Sequence, residues 1–92
     1  MVVAISVLLN VLAYADQARR NSAQGILTAF EDGNTVAIID NKGYFLASNI
    51  LIFDKLGRKA TVEALELPAP VYIEFSYDPR GVIVHLLKVT PR

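Results

Sequence analysis

The chain contains no cysteine. That absence removes disulfides, thiolate metal sites and a cysteine nucleophile together, and leaves the redox compartment open. It contains one histidine, His85, so triads and zinc sites that need two or more histidines within one chain are excluded. No glycine-rich phosphate loop is present. Ser6, Ser22, Ser48 and Ser76 lie outside any nucleophile motif. An excess of charge of one sign is also missing: nine Lys and Arg balance nine Asp and Glu, so no global field draws nucleic acid or an anionic membrane to the molecule. The acidic residues are scattered along the chain, with Asp40 and Asp54 as single turn residues, which is not how a calcium loop gathers its oxygens. These absences imply no metal, no cofactor and no enzyme.

What is present is apolar. Hydrophobic residues make up 53% of the 92, too many for a disordered chain and enough for one small domain with a modest core. Part of the excess sits in residues 2–15, VVAISVLLNVLAYA, where there is no charge at all. Three readings of this segment compete. As the apolar region of a signal peptide it has a suitable length, and Ala13-Tyr14-Ala15 is a small-x-small cleavage pattern before Asp16, although basic residues before the run are missing and Arg19 and Arg20 follow it. As a membrane anchor it falls short of the ~20 residues a span needs. As a helix it places Ser6, Asn10, Tyr14 and Gln17 on one face, with Gly25 as the residue that ends it. The chain thus divides into an apolar N-terminal segment, residues 1–24, and a β domain, residues 25–92.

From Gly25 the period becomes two. Gly25 to Glu31 reads as a strand, Asp32-Gly33-Asn34 as a tight turn, Thr35 to Asp40 as a second strand with Val36 and Ile38 facing one way, and Asn41-Lys42-Gly43 as another turn. Tyr44 to Ala47 is a short strand, interrupted by Ser48 and Asn49 before Ile50 to Phe53. Asp54 to Arg58 turns the chain, and Ala60 to Leu67 is either a short helical turn or an irregular strand, ended by Pro68 and Pro70. Val71, Ile73, Phe75 and Tyr77 alternate with Tyr72, Glu74 and Ser76 in the clearest strand of all. Asp78-Pro79-Arg80-Gly81 reads as a type I turn leading into a closing strand, Val82 to Thr90. Five or six short strands in this length predict a mostly β fold, a small antiparallel barrel in which closure removes exposed edges.

The order of these signals resembles a family of small exported bacterial domains with an OB-like barrel and no settled function. The residues that carry the resemblance are Gly25-Ile26-Leu27, Val36 through Tyr44, Ile52 through Arg58, Val71-Tyr72-Ile73-Glu74 and Gly81-Val82-Ile83. Pro68-Ala69-Pro70 departs from the pattern, standing where that family has a glycine-containing turn into a strand. The resemblance implies export and an OB-like fold, and brings no catalytic residue.

Five side chains are candidates for ligand or partner contact. Tyr44, Tyr72 and Tyr77 could stack against a ligand, as aromatics on such barrels stack bases, but are equally explained as half-buried packing on strands. Arg80, beside Asp78 in a turn, is a fork donor for an anionic partner or the tip of a solvated hairpin. His85 is a pH-sensitive contact or a strand histidine with a local partner. Lys42, Lys55, Arg58 and Lys59 are the phosphate contacts a nucleic acid would use. The leading expectation is a non-enzymatic binding or assembly module of a bacterial cell envelope that holds a protein or small ligand, periplasmic or secreted if residues 1–15 are a signal peptide and otherwise cytoplasmic. Two alternatives stand beside it: a barrel binding single-stranded nucleic acid, and a structural subunit that forms an oligomer through its N-terminal segment or an edge strand.

Overall fold

The structure is a computed structural model that describes residues 20–91. The signal-peptide, anchor and helix readings of the N-terminal run lie outside those residues. The described chain contains five strands: β1 (Asn21–Glu31), β2 (Val36–Ile39), β3 (Lys42–Phe53), β4 (Ala69–Asp78) and β5 (Gly81–Val89). They close into a barrel in the order β1-β2-β3-β5-β4. Four of the lateral pairings are antiparallel; β3 and β5 run parallel. An all-antiparallel barrel is therefore corrected. The hairpins β1–β2, β2–β3 and β4–β5 are local, but β4 crosses to pair with β1, which leaves β5 lying along β3 in the same direction.

Alternation fills the core. Leu27, Ala37, Ile39, Ile52, Ala69, Val71, Ile73, Phe75, Val84 and Leu87 point inward and are buried. Leu27, Val71, Ile73, Val84 and Leu87 are the large side chains with almost no exposure. Burying a Val, Leu, Ile or Phe side chain is worth about 1.5–3 kcal/mol each, so this layer is the main source of stability. Ambiguous residues 60–67 form one 3₁₀ turn, Val62–Ala64, and Ala60, Val62 and Leu65 pack against the core from it.

Four readings of the sequence shift. β1 begins at Asn21, so residues 21–24 are strand and Gly25 lies inside it, ending no helix. The second turn falls on Asp40 and Asn41, one residue early, both with positive φ (50° and 66°) and with Ile39 paired to Lys42; a two-residue hairpin loop needs that backbone, and Asp and Asn tolerate it. Ser48 and Asn49 do not divide two strands: β3 is one strand of 12 residues whose pairing to β5 slips between Leu46 and Leu51. Tyr77 shares the inward phase of Val71, Ile73 and Phe75, yet it lies beyond the core and is 70% exposed.

Candidate functional site

The outer surface of the barrel is built from the residues that alternate with the core, and register decides which of them meet. On β2 the outward residues are Val36 and Ile38; on β3 they include Phe45 and Leu51, and on β5 Ile83 and Leu86. Val36 pairs with Phe45 and Phe45 with Ile83, giving an apolar row across three strands. Leu51 pairs with Leu86 in a second row. Phe45 and Leu51 are 41% and 43% exposed, and the other four are half-buried. None of the six is charged. Gly81 borders the patch with φ +135°, and its α-carbon faces the Phe45 ring; that backbone is one only glycine adopts without strain.

Each row changes character on reaching β4. Ile83 pairs with Ser76, and Leu86 with Glu74, which in turn pairs with Ser22 on β1. Here the polar groups satisfy one another. The Tyr72 hydroxyl donates to Glu74 Oε2 at 2.9 Å, and Ser76 Oγ lies 2.6 Å from His85 Nε2. The Glu74 carboxylate beside it is the main reason the Tyr72 hydroxyl holds its proton above the ordinary tyrosine range, with desolvation adding to the shift. His85 occupies a break in both of its ladders. The β4–β5 register slips between Glu74 and Phe75, opposite Leu86 and Val84, and the β3–β5 register slips beside the same residue. It is the extra residue of a bulge, which the alternation of Ile83, Leu87 and Val89 alone does not place.

The five predicted contact residues separate into two groups. Tyr44 and Tyr77 both flank Phe75, with ring centroids at 6.3 Å and 5.6 Å, the second edge-on. Arg80 sits at the β4–β5 hairpin tip, where its backbone N–H donates to Asp78 Oδ1 at 2.7 Å and its guanidinium reaches Asp78 Oδ2 at 3.5 Å. Tyr72 and His85 belong instead to the polar wall. Lys55, Arg58 and Lys59 share the turn after β3. In that turn Asp54 accepts the N–H of Arg58 and of Leu56, each at 2.9 Å, and the Arg58 side chain at 3.3 Å. The Arg58 backbone bond leads in holding the Asp54 carboxyl below its ordinary range. An open groove of about 740 Å³ runs past this turn, between Leu56, Leu67, Pro68 and Pro91.

Sequence reasoning missed Phe45, Leu51, Ile83 and Leu86 as surface residues. Their signal was present as the out-of-phase apolar residues of strands already apolar on the inner face. Among the described residues no three His, Cys, Asp or Glu side chains gather as metal ligands, and no helix is long and apolar enough to cross a membrane. No protein-family model, curated protein or solved structure matches the chain.

Proposed function

We propose that this chain is an OB-like binding module, without catalytic activity, that docks a protein partner on the outer wall of β2, β3 and β5. The observation that carries the reading is the uncharged row Val36–Phe45–Ile83, continued by Ile38, Leu51 and Leu86. A contiguous apolar patch on a soluble domain costs solubility and marks an interaction surface more often than a scattered leucine does. The strand order supports the OB-like assignment, and in that architecture the face of the second and third strands is a common binding surface. An apolar partner suits this wall better than a polyanion does: at one end Arg80 is engaged by Asp78, and Glu31 and Asp32 lie at the other. The placement in a bacterial envelope rests on residues 2–15 and the Ala13-Tyr14-Ala15 pattern.

Site-specific photocrosslinking in the source cells tests the docking wall. A photoreactive residue at position 45 is expected to give a discrete protein adduct that Ile83→Glu abolishes, while the same residue at exposed position 66, off the three strands of the wall, gives none. Equal adducts at 45 and 66 would end the proposal. Titration with single-stranded oligonucleotides at low and high salt is expected to show no salt-dependent binding; tight binding that weakens steeply with salt would move the reading to nucleic acid. Intact mass of the exported protein is expected to give an N-terminus at Asp16.

A further inference from the structure

Closure of the barrel does not cover every strand edge. β1 pairs with β4 along Asn21–Leu27, but its other edge meets β2 only from Leu27 onward. At Ile26 that edge is closed by the β2–β3 turn: the Ile26 N–H donates to Asp40 Oδ1 at 2.9 Å, and the Asp40 N–H donates to the Ile26 carbonyl at 3.0 Å. Gly25 permits this approach, since a Cβ there would stand 2.6 Å from Asp40 Oδ2 and 2.7 Å from Ile39. Residues Asn21–Gln24 extend past the turn, and among the described residues no strand lies along them on that side.

Backbone alternation fixes which groups this edge presents. Ile26 turns its N–H and carbonyl away from β4, as its partner Pro70, which has no N–H, allows. Ser22 and Gln24 share the phase of Ile26, so their N–H and carbonyl groups also point to the open edge. From Asn21 to Gly25 the edge has no lysine, no proline and no break in its register with β4, devices that elsewhere blunt such strands.

We infer that two copies of this chain pair through this edge, β1 against β1, antiparallel across a two-fold axis at Ala23. The register is self-complementary. Ser22 of each copy lies opposite Gln24 of the other, and the two residues exchange N–H to carbonyl bonds at both places, four in all. Ala23 meets its own equivalent in the close, non-hydrogen-bonded position, where a small side chain fits. At Ile26 the Asp40 turn already occupies the edge, so the ladder ends there and the partner's Arg20 leaves it beside the Asp40 carboxylate at each end of the contact. A two-fold contact of this kind is closed and does not propagate into a fibre. Its short length makes it a weak, concentration-dependent dimer rather than an obligate one. It is independent of the docking wall proposed above, which lies on other strands.

Sedimentation velocity of the full chain from about 10 µM to 1 mM, spanning the range where weak complexes form, is expected to show a monomer–dimer equilibrium. Gln24→Pro removes an outward N–H that β4 does not use, and is expected to shift the equilibrium to monomer at least tenfold with an unchanged far-ultraviolet circular dichroism spectrum. Because the chain has no cysteine, Ala23→Cys introduces a single thiol at the axis, where facing α-carbons about 4.5 Å apart suit a disulfide. Mild oxidation is expected to cross-link Ala23→Cys at least ten times faster than Thr28→Cys on the same strand. A wild type monomeric throughout, a dimer that Gln24→Pro leaves intact in its folded state, or equal cross-linking rates for the two cysteine variants would each overturn the inference.

Discussion

The two outer walls of the barrel share one core and differ in how they treat water. On the β1–β4 side, Ser22, Tyr72, Glu74 and Ser76 face outward, and the Tyr72–Glu74 and Ser76–His85 bonds satisfy the polar groups locally. On the β2–β3–β5 side, Val36, Ile38, Phe45, Leu51, Ile83 and Leu86 face outward with no polar group to satisfy. The first wall is complete by itself. Among the described residues, nothing covers the apolar area that the second exposes. The boundary runs between β5 and β4, where Ile83 faces Ser76 and Leu86 faces Glu74. The residues of the second wall are not part of the buried layer beneath it, so that wall can be altered with little loss of stability.

The largest expected effect tests whether both walls rest on one core. Leu87→Ala, at a side chain with no exposure, is expected to cost about 2–5 kcal/mol in urea denaturation and to unfold both walls in one transition; separate transitions followed by tyrosine fluorescence and circular dichroism would break the comparison. Next comes the polar wall. Ser76→Ala leaves His85 without its hydroxyl partner and is expected to cost about 1 kcal/mol, with no change in photocrosslinking from position 45. Phe45→Ser on the apolar wall is expected to do the reverse: the adduct formed from a photoreactive residue at position 83 is lost, while stability changes by about 0.5 kcal/mol or less, as at an exposed site. If Phe45→Ser destabilised more than Ser76→Ala, the wall would be structural.

Smaller effects appear at the extremes of pH. The Tyr72 hydroxyl is held protonated above its ordinary value of 10.0. Its contribution to stability is thus fully present below pH 10 and is lost as pH rises through the folded value. Ultraviolet titration of the tyrosines should lose a component that ionises above pH 10.0 in Tyr72→Phe. Asp54 behaves oppositely: its pKa is lowered from 3.8, so its contribution is present above that value and lost as pH falls through the folded one. Asp54→Asn should flatten the acid limb of the stability profile by lowering stability slightly at neutral pH while matching the wild type in acid; its Arg58 partner is exposed, so the effect is the smallest of the series.

The sequence made a good part of this legible. The inward set on β4, the Asp32-Gly33-Asn34 turn with its positive φ values and the tight Asp78–Gly81 hairpin follow from alternation and turn chemistry, both properties of a few neighbouring residues. Where reading failed, a distant partner had overridden a local signal. Ser48 and Asn49 look like a strand break, but β5 holds the chain extended on both sides of them. Asn21–Gln24 look like a continuation of the preceding segment, but β4 pairs with every one of them. Of the candidate contacts, the phase of Tyr72 was visible, whereas His85 read either as in phase with Ile83, Leu87 and Val89 or as lying just beyond a register slip, and only the slips in two ladders decide for the second.

By itself, then, the sequence determined that the domain from Gly25 onward is mostly β, which residues of most strands face inward, roughly where the hairpins turn, and that no metal or thiol chemistry rests on cysteine. The tertiary structure alone decided that β3 and β5 lie parallel, that outward apolar residues from three strands form one wall, and that no strand among the described residues lies along β1 on the side of the Ser22 and Gln24 N–H groups. The division has a physical reason. Alternation and turn preference act within a few residues, but lateral neighbours are chosen by closure of the whole barrel, which brings together residues as far apart in sequence as Phe45 and Ile83.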